Sequence, residues 1–367
     1  MSYATPTETL TTPLTKILGI RHPIILAGMN QAAGAELASA VSNAGGLGVV
    51  GGLSFTPETL KKEIEKLKAA LIDKNLPFGI DLALPQVGGN ARKTNHDYTH
   101  GKLPELIDVI INGGAKLFVS AVGVPPKWAV DKLHAAGIHV MNMVGAPKHA
   151  LKALEVGVDL ICCQGSEGGG HTGEIATSIL VPKVVDVVKG RKSPLTGNPI
   201  YVVAGGGIYD GRGLAMALSM GAQAVWVGTR FVNSKEAGAP PRHQQAIIKA
   251  GASDTIRTLI VSGRPLRVYK SAYVMDWENN RADEIKKLTS EGILPLYHDI
   301  QEKEKKGDLD PEEMMEMYPL LMGQVAGNID DVLPAADIVN EMVNTAVKTI
   351  RGLASQVAAV SSVSARL

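Results

Sequence analysis

The sequence predicts an α/β protein, a (β/α)8 TIM barrel with a smaller, mostly helical insertion domain over the carboxyl ends of its strands. Apolar runs rich in β-branched residues alternate with helical patterns, and about eight such units fill roughly 220 residues. A more polar stretch, 250–333, then separates the last apolar run from the last helical pattern, and this predicts the insertion.

Eight apolar runs are the predicted barrel strands. Near-continuous apolar strands are typical of a parallel sheet covered by helices, and about eight units match a closed barrel better than a doubly wound sheet. Between the runs lie helical patterns such as 57–72, where Leu60, Ile64, Leu67 and Leu71 share one face. The strands are predicted at 23–29, 46–52, 78–85, 117–123, 139–145, 160–165, 200–208 and 224–231.

The pattern divides the chain into four parts. The barrel strands occupy 12–249, the insertion 250–334, a closing barrel helix 335–352 and a flexible C-terminal tail 353–367. The closing helix is predicted because six apolar residues recur at helical spacing, namely Ile338, Met342, Val343, Ala346, Val347 and Ile350. An insertion placed after the eighth strand would roof the active site.

Composition narrows the class of function. The 367 residues carry a net charge of +1 and are 45% hydrophobic but only 4% aromatic, so neither a basic face nor a stacking platform for nucleic acid is expected. No run approaches the roughly 20 apolar residues of a membrane span. The adjacent Cys162 and Cys163 are expected to be reduced core residues, and the histidines show no metal-ligand spacing, so no metal is predicted.

The last three residues, Ala-Arg-Leu, bear on localisation. They resemble the S-K-L peroxisomal address in being small, basic and leucine. The alternative is a frayed end that carries no signal. The expected location is therefore cytoplasmic, or peroxisomal through this tail.

Glycine clusters follow three of the predicted strands at one end of the barrel. They are Ala27-Gly28-Met29-Asn30, Ala204-Gly205-Gly206-Gly207-Ile208 and Gly228-Thr229-Arg230-Phe231. Loops after the seventh and eighth strands of such barrels commonly bind phosphate through free backbone N–H groups, so Gly206, Gly207, Gly228 and Thr229 are the predicted phosphate cradle. The alternative is that these glycines only make tight turns. Neither a dinucleotide fingerprint nor a P-loop is present, so a mononucleotide such as FMN fits best.

Several motifs together resemble the nitronate monooxygenases, formerly called 2-nitropropane dioxygenases. They are P-I-I-L-A-G-M, A-V-S-N-A-G-G-L-G, Q-G-S-E-G-G-G-H-T-G-E, A-G-G-G-I-Y-D-G-R-G and G-A-Q-A-V-W-V-G-T-R-F. The resemblance runs over about 15–352 and includes M-G-Q-V-A-G-N-I-D-D near the end. The same FMN barrel is similar to flavin-dependent enoyl-acyl-carrier reductases and NAD(P)H:quinone reductases, so the motifs are less specific for activity than for the superfamily.

The resemblance implies a set of cofactor-binding residues. Ala27 belongs to the first cluster, Gly28 and Met29 would lie along the flavin, Gln164 would meet its polar edge, and Gly169 and Gly170 would approach the ring. Gly205, Gly206, Gly207, Gly228 and Thr229 would surround the phosphate. Asp81 stands where many relatives have asparagine, and Asn142-Met143 stands where some have a lysine near the flavin.

His171 is the predicted catalytic residue. Gly168, Gly169 and Gly170 would let the loop pass close to the flavin, and His171 would then project over the ring where substrate lies. An unperturbed histidine pKa of about 6.5 allows proton transfer near neutral pH. The alternative is a histidine satisfied within a turn. Glu167 and Glu174 either orient His171 or are solvated loop carboxylates.

The activity implied by the resemblance is oxidation of an alkyl nitronate by FMN and O2 to a carbonyl compound and nitrite. His171 would remove the α-proton of a neutral nitroalkane, or only position a preformed nitronate. Met322 and Gln324, with apolar residues of the roof, would complete the substrate pocket. The alternatives are an NAD(P)H-dependent reductase acting on quinones or enoyl thioesters, and a non-catalytic FMN-binding protein. The sequence leaves monomer and homodimer open.

Overall fold

The eight predicted strands form one parallel sheet in the computed structural model, which describes residues 3–308 and 310–358. The first strand pairs with the last, and a parallel bridge between Ile25 and Leu47 joins the first strand to the second. The sheet is therefore a closed barrel, and the predicted TIM-barrel fold is confirmed.

Each barrel strand lies within its predicted run but is shorter, because the last residues of each run leave the ladder to enter a loop. The barrel strands are β1 (Ile24–Leu26), β2 (Gly48–Gly51), β3 (Phe78–Ala83), β4 (Leu117–Ala121), β5 (His139–Val144), β6 (Leu160–Gln164), β8 (Tyr201–Gly205) and β9 (Ala224–Val227). A second, three-stranded sheet contains β7 (Gly170–His171), β10 (Thr255–Thr258) and β11 (Leu266–Tyr269).

Helices surround the barrel and build most of the insertion. Around the barrel lie α1 (Pro13–Leu18), α2 (Ala35–Asn43), α3 (Pro57–Ala70), α4 (Leu103–Gly113), α5 (Lys127–Ala135), α6 (Pro147–Glu155), α7 (Thr177–Val188), α8 (Gly211–Ser219), the short α9 (Thr229–Val232) and α15 (Ala335–Ala354). The remaining helices are α10 (Pro241–Lys249), α11 (Ala272–Asn280), α12 (Ala282–Glu291), α13 (Pro295–Lys306) and α14 (Pro311–Met317). Two 3-10 helices span Asn30–Ala33 and Gln324–Asn328.

Side chains alternate between the barrel bore and the helix layer, as the period of two in a strand requires. The bore is filled by one apolar cluster, which includes Ile25, Val49, Val119, Met141, Cys162, Val203 and Trp226. The intervening residues, such as Val140, Val144, Ile161 and Cys163, pack against the helices in a larger cluster. The bore is therefore a packed core, and any ligand must bind above it at the mouth.

The insertion carries a β-hairpin that was not predicted from the sequence. Strands β10 and β11 pair antiparallel, and β11 also pairs with β7, so that Leu266 lies opposite His171. Residues 259–265, hereafter the hairpin tip, join the two strands. The roof of the mouth is therefore mostly helical, as expected, but its contact with the histidine loop is a sheet.

The last helix, α15, packs against α8 and α2, where a barrel-closing helix is expected. Its residues Ile338, Met342, Val343 and Ala346 are buried in the helix-layer core. Within the described ranges, the protein contains no helix with the length and hydrophobicity that crossing a membrane requires. The Ala-Arg-Leu ending lies outside the described residues.

Candidate active site

The loops at the carboxyl ends of the strands meet at the mouth of the barrel, and the first predicted glycine cluster lines one side of it. A Cβ atom added to Gly28 would lie 2.4 Å from Oδ2 of Asp81, so the backbone here passes directly against that carboxyl group. A Cβ on Gly228 would lie 3.4 Å from Sδ of Met29 and 3.6 Å from Cβ of Ala27. The structure thus brings together the residues predicted after the first and eighth barrel strands and Asp81 of the third.

Asp81 is a buried carboxyl group without a compensating partner. Its side chain is 6% exposed, and Oδ1 makes no hydrogen bond to any of the described residues. Burial raises the pKa of Asp81 from 3.8 to about 8. The group is therefore protonated at neutral pH and offers an O–H donor, as the side chain of asparagine offers an N–H donor.

Replacing Asp81 with Asn should make the cofactor-free protein more stable at high pH. The unfolded Asp81 loses its proton near pH 3.8 and the folded one near pH 8, so the folded state binds more protons between these values and the free energy of unfolding falls as pH rises. Asp81→Asn removes this loss. We expect the free energy of unfolding of the variant minus that of the wild type to be larger at pH 9 than at pH 5 by at least about 1 kcal/mol. Urea denaturation at both pH values measures it.

Asp159 provides the control for this prediction. It is equally buried, but its oxygens accept hydrogen bonds from Ser193 Oγ at 2.6 Å and from the Val140 N–H at 2.8 Å. Asp159→Asn should lower the free energy of unfolding at both pH values because a satisfied carboxylate is lost. An equal difference in the free energy of unfolding between the wild type and Asp81→Asn at pH 5 and pH 9 would contradict the protonated state of Asp81.

The loop after β6 is held by Gln164. Its Nε2 donates hydrogen bonds to the carbonyl oxygens of Gly169 at 3.1 Å and His171 at 2.9 Å. Gly169 in turn packs against the M-G-Q segment, since a Cβ there would lie 2.7 Å from the Met322 carbonyl carbon. The lack of a side chain on Gly169 therefore allows Met322 and Gly323 to approach closely. Gly170 adopts a left-handed φ of 71°.

His171 enters the mouth from this loop under the hairpin tip. Its backbone pairs with Leu266, and a hydrogen bond of 2.8 Å joins its ring Nε2 to Oγ of the buried Ser262. Desolvation, followed by the charge of Arg264, lowers the pKa of His171 from 6.5 to about 4. The expectation of an unperturbed pKa is therefore wrong, and His171 is a neutral imidazole at pH 7.

The predicted phosphate cradle lies after β8 and β9. Gly206 and Gly207 have left-handed φ angles of 89° and 73°. Among the described residues, the backbone N–H groups of Gly207 and Gly228 donate no hydrogen bond. The hydroxyl of Thr229 accepts a hydrogen bond of 2.9 Å from the Gly323 N–H, which ties the cradle to the M-G-Q segment.

Glu167 neither orients His171 nor remains solvated. Its carboxylate accepts hydrogen bonds from the backbone N–H of Thr177 at 3.0 and 3.1 Å and from the Thr177 hydroxyl at 3.1 Å. Thr177 is the first residue of α7, where a negative charge is favourable. Glu174 is exposed and lies 3.5 Å from Arg257, so it does not orient His171 either.

Asn142 and Met143, which stand where some relatives have a lysine, face opposite sides of β5. Met143 packs against the bore cluster, whereas Asn142 falls between Val140 and Val144 of the helix-layer cluster. Asn142 Nδ2 donates to the Met143 carbonyl at 2.9 Å, and its buried Oδ1 has no partner among the described residues. Only Met143 therefore faces the bore.

Met322 and Gln324, the predicted pocket residues, lie behind the histidine loop. Met322 is fully buried in a small cluster with Val232, Ile247 and Val325, and the backbone N–H of Gln324 donates to the Glu167 carbonyl at 2.9 Å. Within the described parts of the chain, no group of three His, Cys, Asp or Glu side chains is arranged to hold a metal ion.

Three polar residues of the roof were not singled out from the sequence. They are Ser262 and Arg264 in the hairpin tip and Arg267 in β11, whose Nε donates to the Ser166 carbonyl at 2.8 Å. The signal for them was the S-G-R-P turn between two β-branched runs, which is typical of a hairpin.

Comparison with known proteins places this site in a family. A family model described as nitronate monooxygenase matches residues 11–345. The chain is 33% identical to the "(3aS,4S,5R,7aS)-5-hydroxy-7a-methyl-1-oxo-octahydro-1H-indene-4-carboxyl-CoA dehydrogenase" of Rhodococcus jostii, over 94% of this chain and 98% of that one. It is 30% identical to a probable nitronate monooxygenase of Staphylococcus saprophyticus, over 72% of this chain and 80% of that one. FabK from Thermotoga maritima has a similar structure, with a TM-score of 0.76 and 29% identity over 95% of this chain and 100% of that chain.

Proposed function

Because this chain belongs to the nitronate monooxygenase family and is an oxidoreductase, we propose that it oxidises alkyl nitronates with O2, using FMN, to carbonyl compounds and nitrite. The observation that carries the proposal is the chemistry of the mouth. The charge of Arg264 acts on the neutral imidazole of His171, and among the described residues no carboxylate forms an ion pair with the Arg264 guanidinium. A positively charged, partly desolvated site favours an anionic substrate, and a nitronate is an anion.

The residues at the mouth fit FMN. The free N–H groups of Gly207 and Gly228 would bind its phosphate, and the unpartnered, protonated Asp81 beside Gly28 would donate a hydrogen bond to it. FMN, when bound, supplies the transfer of electrons from the substrate to O2. The protein positions the substrate through His171 and excludes water with the hairpin tip.

His171 has two roles that depend on the substrate form. With a neutral nitroalkane, its neutral ring accepts the α-proton at Nδ1, in the tautomer whose Nε2–H donates to Ser262. With a preformed nitronate, no proton is removed and the ring only positions the anion. Ser262 fixes the orientation of the ring in both cases.

A second candidate function is oxidation or reduction of a CoA thioester with NAD(P)H or NAD(P)+ as the second substrate. It is favoured by the Rhodococcus jostii relative, whose name gives a carboxyl-CoA substrate and whose full length is covered. Arg257 on the roof, whose side chain is partly exposed, is a positive group suited to the phosphates of CoA.

Anaerobic mixing separates the two functions. We expect the absorbance of the bound flavin to fall when the nitronate of a small nitroalkane is added and to stay unchanged with NADPH or NADH. The same nitronate mixed with free FMN is the control for non-specific reduction of the flavin. Loss of absorbance with a reduced nicotinamide alone would replace our proposal by the second candidate, and a purified protein that does not bind FMN would refute both.

A further inference from the structure

Arg264 in the hairpin tip is a half-buried cation whose hydrogen-bond acceptors are neutral. Its Nε donates to Oδ1 of Asn95 at 3.0 Å, and its Nη1 donates to the carbonyl oxygen of Val122 at 2.8 Å. Val122 holds an unfavourable φ of 68° for a β-branched residue, so the backbone that presents this carbonyl is strained. The ionisable groups that act on Arg264 are Arg92, which disfavours its charge, and Tyr98.

The two arginines of the hairpin strands differ from Arg264 in having an acid nearby. Arg257 lies 3.5 Å from the carboxylate of Glu174, and the charge of Glu167 acts on Arg267. A neutral donor such as glutamine could tie the hairpin tip to Asn95 and Val122 without desolvating a positive charge. An unpaired cation that is partly removed from water is unfavourable unless an anion joins it.

Ser262 links Arg264 to His171, so an anion bound by Arg264 would lie near His171. The Oγ of Ser262 lies 2.8 Å from the His171 ring and 3.5 Å from the Arg264 carbonyl oxygen. Nη1 of Arg264 donates one of its two N–H groups, and among the described residues Nη2 donates none, so one N–H on Nη1 and two on Nη2 are available. Two donors on a planar guanidinium match the oxygens of a planar anion.

We propose that Arg264 is the anion-binding residue of the substrate site and that its ligand is the planar oxyanion of a small substrate, held beside His171. That this anion is a nitronate rests on the proposed function, whereas the existence of the anion site does not. In the proposed function, the phosphate of FMN would bind elsewhere, at Gly207 and Gly228.

The test is calorimetric titration of the FMN-containing protein with sodium nitrite, a planar oxyanion. The variant Arg264→Gln keeps a hydrogen-bonding side chain but loses the charge. We expect its Kd for nitrite to rise about tenfold to hundredfold, since hydrogen bonds to charged groups contribute about 1.5–3 kcal/mol. Arg264→Lys should recover part of the affinity because it restores the charge.

Arg92→Gln is the matched control, because Arg92 also donates to the hairpin tip, to the Gly263 carbonyl at 3.1 Å, but is exposed to solvent. Its Kd for nitrite should change less than about threefold, as screening predicts for an exposed charge. Melting temperatures of all variants report on folding independently of binding.

Three outcomes would overturn the inference. They are no binding of nitrite to the wild type, equal weakening in Arg264→Gln and Arg92→Gln, and displacement of nitrite by an equal concentration of inorganic phosphate. If nitrite binding depends on Arg264 but no nitronate is oxidised, the anion site stands and the proposed function fails.

Discussion

Replacing His171 with Asn should lower the turnover of neutral nitroalkanes by about 10²–10⁴-fold, the usual contribution of a general base. Asn keeps a hydrogen-bonding side chain near Ser262 but cannot accept the α-proton. Turnover of preformed nitronates should fall much less, because no proton is removed from them. Steady-state rates with the two substrate forms measure the difference.

The low pKa of His171 adds a pH criterion to this prediction. A base with a pKa of about 4 is unprotonated at and above pH 5, so the histidine itself should cause no loss of nitroalkane turnover between pH 8 and pH 5. The His149→Asn variant is the control, because His149 lies exposed on α6. Equal losses on nitroalkane and nitronate would show that His171 acts by placement alone, and a fall in wild-type rate centred near pH 6.5 would refute the lowered pKa.

Replacing Gly206 with Val should weaken FMN binding severely, by more than about tenfold. A Cβ at this position would lie 2.9 Å from the Gly165 carbonyl oxygen and 3.1 Å from the Thr177 hydroxyl, and the φ of 89° is unfavourable for a branched residue. The loop must therefore shift by more than a cofactor contact tolerates, and a loss above 1.4 kcal/mol reduces affinity more than tenfold. Flavin absorbance per chain after dialysis measures it.

Gly190→Val is the control for backbone strain, because it introduces that strain without changing the phosphate cradle. Gly190 has a similar φ of 77°, but a Cβ there would have no atom within 4 Å. We expect this variant to lose some thermal stability while it keeps its flavin. Gly228→Ala provides a milder test, because its Cβ makes only ordinary contacts with Met29 and Ala27. Full flavin content in Gly206→Val would place the phosphate elsewhere.

The barrel could be predicted because its strands are apolar on both faces, so each one stands out as a continuous run. The pairing of β7 with the hairpin could not, since β7 has only two residues and becomes a strand through its pairing with Leu266 and Arg267, about 95 positions along the chain. The glycines and His171 were predicted as site residues from local composition. Ser262 and Arg264 were not, because their partners lie in the loops after β3, β4 and β6, and a sequence does not display such distances.

The partner of Glu167 shows the same limit over a shorter range. Its carboxylate binds Thr177 only because the intervening residues turn back and bring α7 to the start of the loop. The pKa of His171 likewise depends on burial beneath a separate part of the chain.

The pairing of β7 with β11 has a consequence for protein engineering. The histidine loop belongs to the barrel by sequence but to the insertion by its backbone hydrogen bonds. Exchange of the insertion with that of a relative would therefore replace the template on which His171 is aligned, including the residue opposite it, Leu266. A functional chimera would have to transplant the β6–α7 loop and the hairpin together. The two segments are far apart in the sequence, but they form one structural unit.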